Sequence, residues 1–142
     1  MKKILIAEDD KFLANAYRVK LEKEGYETAI ASNGEEVFQI LKGGVPDLII
    51  LDLIMPKKDG FTTLREINAM DEYKNIPVII ASNLGQQEDI DRGMELGAKG
   101  YIIKSDMSME GLVKQIGEII AGKNGAAPID PNSPADKVET IA

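Results

Sequence analysis

Three acidic residues stand where two apolar segments of the sequence end, and their types and positions suit them to chemistry. Glu8 and Asp9 follow the apolar residues 4–7, and Asp52 follows the apolar run at 48–51. If both runs are parallel strands, their carboxyl ends meet at one edge of a sheet, where open α/β folds bind ligands. Carboxylates that converge repel each other unless a cation joins them. The sequence therefore predicts a cation site at this edge.

The chain offers only hard oxygen ligands for such a cation. It contains no histidine and no cysteine, which excludes imidazole and thiolate metal sites, disulfides, a Ser-His-Asp triad and a histidine general base. Oxygen ligands select magnesium or manganese, and magnesium keeps several waters while using one or two carboxylates. A carboxylate beside that ion can attack a phosphoryl group whose charge the ion offsets. The alternative is that Asp52 is an ordinary solvated or capping acid.

Phosphoryl transfer also needs donors for the remaining phosphoryl oxygens, and two residues at later strand ends can supply them. Ser82 follows the apolar residues 78–81 and offers one hydroxyl donor. Lys104 follows residues 100–103 and offers a compact, mobile ammonium. Taken singly, Ser82 is as well explained as a turn or capping residue, and Lys104 as a solvated lysine. Their joint placement beside Asp52 favours a shared site.

Alternating strands and helices would bring these residues together. Nearly continuous runs of Ile, Val and Leu predict buried parallel strands at residues 3–7, 27–31, 47–52, 78–82 and 100–103. Amphipathic stretches predict helices at residues 11–24, 35–41, 61–70, 86–96 and 109–121. Asn33 is predicted to cap the second helix, and glycines follow several helices. Five βα units predict a flavodoxin-like doubly wound parallel sheet of strand order 2-1-3-4-5.

Composition limits the remaining possibilities. The 142 residues suit one domain, and a formal charge of -7 argues against non-specific nucleic-acid binding. No apolar run approaches the ~18–20 residues of a membrane span, and no signal-peptide pattern is present, so a cytoplasmic location is expected. We predict a domain over residues 1–122. Three prolines and many small polar residues predict a flexible or loosely docked tail over residues 123–142.

Taken together, these segments resemble the receiver domain of two-component response regulators, of the chemotaxis-regulator type. The resemblance covers residues 2–122 and rests on four segments in order. They are Ile-Leu-Ile-Ala-Glu-Asp-Asp at 4–10, Leu-Asp-Leu-Ile-Met-Pro at 51–56 followed by Asp59-Gly60, Pro-Val-Ile-Ile-Ala-Ser at 77–82, and Gly-Ala-Lys-Gly-Tyr-Ile-Ile-Lys at 97–104. Each segment alone is weak, whereas the four in this strand context are specific.

The resemblance implies a role for each matching position around the metal. Asp52 would be the phosphorylated residue. Asp9 would bind Mg²⁺ directly, with Mn²⁺ as a possible substitute, and Glu8 would act through water. The carbonyl of Ile54 would complete the protein ligands. Asp10 is interpreted as a helix-start acid, although an offset of one, with Asp9 and Asp10 as the pair, is an alternative.

The resemblance also assigns the phosphoryl-binding and switch residues. Lys104, Ser82 and the backbone N–H of Asn83 would hold phosphoryl oxygens. Ser82 would move inward on phosphorylation, and the rotamer of Tyr101 would follow it; the alternative for Tyr101 is a half-buried edge-strand aromatic. The readout surface is expected on the fourth helix, fifth strand and fifth helix.

Two residues depart from the family pattern. Ser105 stands where the family usually has a proline after a cis bond, and a cis bond before a non-proline residue costs ~2.5–4 kcal/mol. A trans Lys104–Ser105 bond is therefore favoured. Asn83 stands where the family generally has Ala or Gly, and its side chain would either shield the acyl phosphate from water or position that water.

The sequence therefore predicts a phosphorylation-dependent switch in a two-component system or phosphorelay, not a turnover enzyme. The resemblance implies that the phosphoryl donor is a histidine kinase or a histidine phosphotransfer protein. The absence of histidine fits this, because a phosphohistidine must then come from outside the chain. Output is expected through contact with a downstream protein, without direct nucleic-acid or membrane contact. Three rivals are an aspartyl phosphohydrolase, an FMN carrier and a degenerate receiver. The phosphohydrolase usually has a second acid at the position of Ile54, and the FMN carrier needs a Ser/Thr/Gly-rich first loop.

Overall fold

The computed structural model describes residues 1–122, which form a parallel sheet of order β2-β1-β3-β4-β5 with helices on both faces. In chain order the elements are β1 Lys3–Ala7, α1 Lys11–Lys23, β2 Glu27–Ala31, α2 Gly34–Gly43, β3 Leu48–Leu51, α3 Gly60–Ala69, β4 Val78–Ser82, α4 Gln87–Glu95, β5 Gly100–Ile103, a 3₁₀ turn Lys104–Asp106, and α5 Met109–Ile120. The predicted fold class and strand order are confirmed. The predicted tail over 123–142 lies outside the described residues.

Alternate residues of each strand face two separate apolar layers. In β1, Ile4 and Ile6 pack with the layer formed by α1 and α5, while Leu5 and Ala7 pack with the layer of α2, α3 and α4. All four residues are essentially inaccessible to solvent. Burial on both faces explains why the strands read as continuous apolar runs rather than as alternating ones. The two layers fix the sheet, and the sheet fixes the positions of its strand ends.

The register of the central strands brings the predicted site residues to one edge. Ala7 of β1 pairs with Leu51 of β3, so Glu8 and Asp52 leave the sheet side by side. The N–H of Asp52 donates to the carbonyl of Ala7 at 3.0 Å and prolongs this pairing past the strand ends. On the other side, Ser82 of β4 pairs with Ile103 of β5, immediately before Lys104.

The structure corrects several boundaries. β3 is shorter than the predicted 47–52, because the carboxylate of Asp47 turns to the N–H of Lys3 and Asp52 opens the following loop. α2 is longer than the predicted 35–41, because Asn33 caps it directly before Gly34. α1, α3, α4 and α5 each differ from prediction by one residue at one or both ends, which is the usual fraying uncertainty. Within residues 1–122, no helix is long and apolar enough to cross a membrane.

Candidate functional site

The three predicted acids lie together at the carboxyl edge of the sheet. Glu8 and Asp52 are buried, at 3% and 6% exposure, whereas Asp9 is exposed. One carboxylate oxygen of each residue lies within 4.8 Å of those of the other two. Oxygen atoms at this spacing can share one hard divalent cation, and the exposed side of Asp9 gives that cation a route from solvent.

Asp10 does not belong to this cluster, whereas Glu8 and Asp9 both do. Its carboxylate caps α1 by accepting from the N–H groups of Phe12 and Leu13, at 3.0 and 3.2 Å. Its own N–H donates to the carboxylate of Glu8 at 3.1 Å. The start of α1 therefore holds Glu8 from one side, while Asp9 stays exposed at the rim of the cluster.

Lys104 is the positive group that the acids require. Its Nζ lies 2.5 Å from Oε1 of Glu8 and 3.1 Å from Oδ2 of Asp52. The same Glu8 Oε1 is fully buried and has no well-directed hydrogen bond, so it depends on the charge of a cation. Buried carboxylate oxygens that need a positive charge fit a site for anionic groups. The ammonium of Lys104 or a divalent ion can supply that charge.

Burial dominates the electrostatics of the cluster. Burial raises the pKa of Glu8 to about 7, even though the adjacent ammonium of Lys104 and the hydrogen bond from the N–H of Asp10 oppose that shift. For Lys104, burial alone would lower the pKa, but the close contact with the Glu8 carboxylate and the hydrogen bond to Asp52 outweigh it and raise the pKa. The carboxylate and the ammonium thus stabilise each other where water is scarce.

Ser82 and Tyr101 hold the loop between β4 and α4 from both sides. The hydroxyl of Ser82 accepts from the N–H of Leu84 at 3.2 Å, and the hydroxyl of Tyr101 donates to the carbonyl of Leu84. Both residues are fully buried, so Tyr101 is not a half-buried edge aromatic. Burial raises the pKa of Tyr101 to about 12, so its hydroxyl keeps the proton that it donates. The two side chains are connected through one residue, Leu84.

The remaining predicted positions lie at the rim of the cluster. The N–H of Ile54 donates to Oδ1 of Asp52 at 3.4 Å, and the Ile54 side chain is 61% exposed. Asn83 is exposed directly after β4. The bond between Lys104 and Ser105 is trans, as favoured from the sequence, and the 3₁₀ turn Lys104–Asp106 replaces the expected proline turn.

Gly60 is a positional requirement that sequence reasoning did not recognise. A Cβ atom at Gly60 would lie 2.2 Å from the carbonyl oxygen of Asp52 and 2.6 Å from Cα of Leu53. The Gly60 N–H donates to the carbonyl of Leu53 at 2.9 Å, and Asp59 caps α3 through the N–H of Thr62. Only glycine lets α3 begin directly against the backbone of Asp52. The signal was the Asp-Gly pair just before a helix.

Comparison with known proteins gives a single family. The family model described as the response regulator receiver domain matches residues 4–116. A probable transcriptional regulator of Guillardia theta, ycf27, is 34% identical over 125 residues, which is 88% of this chain but 48% of that protein. The chain thus spans about half the length of the curated relatives it matches.

Solved structures agree with this result. The receiver domain of a signal transduction histidine kinase from Syntrophus aciditrophicus is 31% identical, with a TM-score of 0.80 over 94% of this chain and 100% of that domain. The Mn²⁺-bound form of the response regulator Rcp1 is 30% identical, with a TM-score of 0.72 over 84% of this chain and 91% of that one.

Proposed function

This chain belongs to the response regulator receiver domain family, and on that premise we propose that Asp52 accepts a phosphoryl group from a phosphohistidine. The donor would be a histidine kinase or a histidine phosphotransfer protein. The observation that carries the proposal is the meeting of Glu8, Asp9 and Asp52 within 4.8 Å, with the ammonium of Lys104 beside them. This arrangement supplies a nucleophilic carboxylate together with the positive charge that a phosphoryl group needs.

The same residues suit a magnesium ion. Asp9 and Asp52 would bind it directly, Glu8 through water, and the carbonyl of Ile54 would complete the protein ligands; Mn²⁺ is the plausible substitute. The buried Glu8 Oε1, which lacks a well-directed hydrogen bond, supports this assignment. When bound, the ion would offset the charge on the transferring phosphoryl oxygens.

The chain's own side chains would perform the transfer. A carboxylate oxygen of Asp52 attacks phosphorus, the bond from phosphorus to the donor imidazole nitrogen breaks, and the imidazole leaves with that electron pair. Lys104 already lies 3.1 Å from Asp52, so its ammonium can hold one of the arriving oxygens. The hydroxyl of Ser82 and the N–H of Asn83 would take the others. The product adds roughly one to two negative charges at the sheet edge.

The added charge would act on a switch through the loop after β4. The Ser82 hydroxyl accepts from the N–H of Leu84 at 3.2 Å. If the hydroxyl moves toward a phosphoryl oxygen in order to donate to it, this bond to Leu84 would lengthen or break. A shift of Ser82 would move Leu84, whose carbonyl is bonded to Tyr101. The readout surface would be α4, β5 and α5, and a downstream protein would recognise it.

The domain would comprise residues 1–122, with 123–142 as a tail. Phosphotransfer and slow dephosphorylation would be catalysed by the domain itself, without turnover of a separate substrate. The expectation of no direct nucleic-acid contact stays a prediction, because the relatives include transcriptional regulators and this chain spans about half their length.

Labelling with a small phosphoryl donor tests this function. The protein is incubated with acetyl phosphate and Mg²⁺, and intact-mass and peptide spectrometry follow the adduct. We expect one phosphoryl group, on Asp52, which disappears in Asp52→Asn and without a divalent ion. Asp10→Asn, which alters only a helix cap, should still be labelled. A label on Ser82, or no label with either acetyl phosphate or a phosphorylated histidine phosphotransfer protein, would refute the proposal.

A further inference from the structure

A cavity lies at the amino edge of the sheet, at the opposite end from the acids. Its volume is about 310 Å³. Its walls include residues that directly precede strands: Lys2 before β1, Asp47 before β3, Pro77 before β4 and Lys99 before β5. Parallel strands all begin at one edge, so the fold gathers these residues as it gathers the acids at the other edge. The proposed phosphotransfer does not use this cavity.

The charge of the cavity is positive on a protein whose formal charge is -7. Two ammonium groups face one carboxylate, and that carboxylate is already engaged. Asp47 accepts from the N–H of Lys3 at 2.8 Å and lies 3.9 Å from the ammonium of Lys2. Lys99 forms no salt bridge within residues 1–122. Lys99, which makes no salt bridge to another described residue, is thus the ammonium that the cavity offers to an acidic occupant.

The apolar wall of the cavity is the end of α5. Ile119 and Ile120 line it together with Pro77. The helix ends just beyond, where Gly122 adopts a φ of +79° and its N–H donates to the carbonyl of Ile119 at 3.0 Å. This left-handed residue ends the helix, so the last described residue lies just beyond the wall that Ile119 and Ile120 form.

We propose that residues 128–131, Pro-Ile-Asp-Pro, occupy this cavity. Ile129 would pack on Ile119 and Ile120, and Asp130 would pair with Lys99. The five residues 123–127 span at most about 17 Å, which is ample for a cavity whose wall ends two residues before Gly122. The segment matches the cavity, because one apolar side chain is followed directly by one acid.

Two physical effects favour this segment over a separate molecule. Proline restricts its own φ and the residue before it, so a segment with a proline on each side would lose less conformational entropy on docking than an unrestricted one. The short connection gives the segment an effective concentration on the order of millimolar, so a modest set of contacts suffices. The charge of the segment is also opposite to that of the cavity, since residues 128–142 contain three acids and one lysine. The docked segment would connect the start of β5 to the end of α5, two elements of the proposed readout surface.

A spin label placed next to the segment tests the proposal in the full chain. The protein has no cysteine, so Asn132→Cys gives a single attachment site for a nitroxide. Amide signals are compared between the oxidised and the reduced label by NMR. We expect Lys2, Asn75 and Lys99 to lose most of their intensity, whereas Glu8 and Lys104 at the far edge keep theirs.

Matched variants separate docking from chance proximity. The double variant Ile129→Ser with Asp130→Lys should abolish docking, so the amide signals at the cavity should recover their intensity. The double variant Lys99→Glu with Asp130→Lys exchanges the two charges, so the segment should dock and the signals should again be lost. Equal losses with and without the Ile129→Ser and Asp130→Lys changes would overturn the proposal. So would a loss that appears on mixing labelled with unlabelled protein and fades on dilution, because the occupant would then be a second copy.

Discussion

The two edges of one sheet carry opposite charge and differ in how far they exclude water. At the carboxyl edge, the salt-bridged side chains of Lys104 and Glu8 are 13% and 2% exposed, and their atoms lie 2.5 Å apart. At the amino edge, those of Lys2 and Asp47 are 62% and 38% exposed, with 3.9 Å between the charged atoms. Parallel strand order gathers charged residues equally at both edges. Deeper burial and the shorter separation make the first pair strongly coupled, whereas the second pair is weakly coupled.

Local packing causes this difference. At the carboxyl edge, α3 begins against the backbone of Asp52 at Gly60, and the Asp10 cap of α1 closes over Glu8. At the amino edge, the chain leaves an open cavity of about 310 Å³ between strand starts and the end of α5. The carboxyl edge therefore has a fixed geometry, and substitutions there should cost more than matched substitutions elsewhere in the molecule.

Lys104→Met should have the largest effect. Removing one positioned cationic donor from a buried site should slow phosphorylation of Asp52 by about 100-fold or more. Rates of labelling by a phosphorylated histidine donor measure this. The control is Lys74→Met, at the amino edge, where the lysine is half exposed and pairs with the exposed Asp71. Equal slowing in both variants would show that the position of Lys104 beside Asp52 does not matter for phosphorylation.

Gly60→Ala should cost about 2–3 kcal/mol in the free energy of unfolding, because the new methyl group meets backbone atoms of Asp52 and Leu53 that cannot move aside. Urea denaturation measures the loss. Gly43→Ala, at the last residue of α2, is the matched control, since its Cβ would meet nothing within 4 Å. That variant should hold or gain up to about 1 kcal/mol. A Gly60→Ala protein as stable as Gly43→Ala would contradict the tight packing described here.

Tyr101→Phe should lower the free energy of unfolding by about 1 kcal/mol, since the carbonyl of Leu84 loses its donor. It should also weaken the link between Ser82 and α4, seen as greater hydrogen exchange in the loop at 83–85. Tyr26→Phe, a partly buried tyrosine just before β2, is the control and should change stability by less than ~0.5 kcal/mol. Unchanged exchange at 83–85 would show that Tyr101 does not hold this loop.

Lys57→Gly should have the smallest effect, a gain of up to about 1 kcal/mol, because Lys57 holds a left-handed φ of 66°. Lys58→Gly next to it should destabilise instead. Lys58 pairs with Glu66 at 2.7 Å and lies over the ring of Phe38 at 4.7 Å. Thermal unfolding of both variants gives the comparison, and a loss in Lys57→Gly would show that the left-handed residue is not strained.

The sequence predicted parallel strands, because buried strands of this kind are continuous apolar runs, and it predicted their order because five βα units in succession favour the doubly wound 2-1-3-4-5 sheet. It also predicted which residues meet at the carboxyl edge, since Glu8, Asp52 and Lys104 each directly follow a strand. It did not reveal the fully buried state of Tyr101. That state depends on Gly93 in α4, where a Cβ would lie 3.2 Å from the tyrosine ring.

The amino edge was also missed, for a different reason. Lys2, Asp47 and Lys99 are far apart in sequence and individually look like ordinary surface charges. Only the parallel register shows that they share one cavity wall. Residues before strands carry no apolar pattern of their own, so their convergence becomes visible only when the sheet order is known.

A Mn²⁺ titration followed by NMR tests whether Glu8, Asp9 and Asp52 share one divalent cation, as proposed above. We predict one ion per chain, with amide broadening centred on Asp9, Asp52 and Ile54 and none at Lys99. The broadening should vanish in Asp9→Asn with Asp52→Asn and persist in Asp10→Asn. Broadening centred elsewhere, or unchanged by the double substitution, would contradict the account.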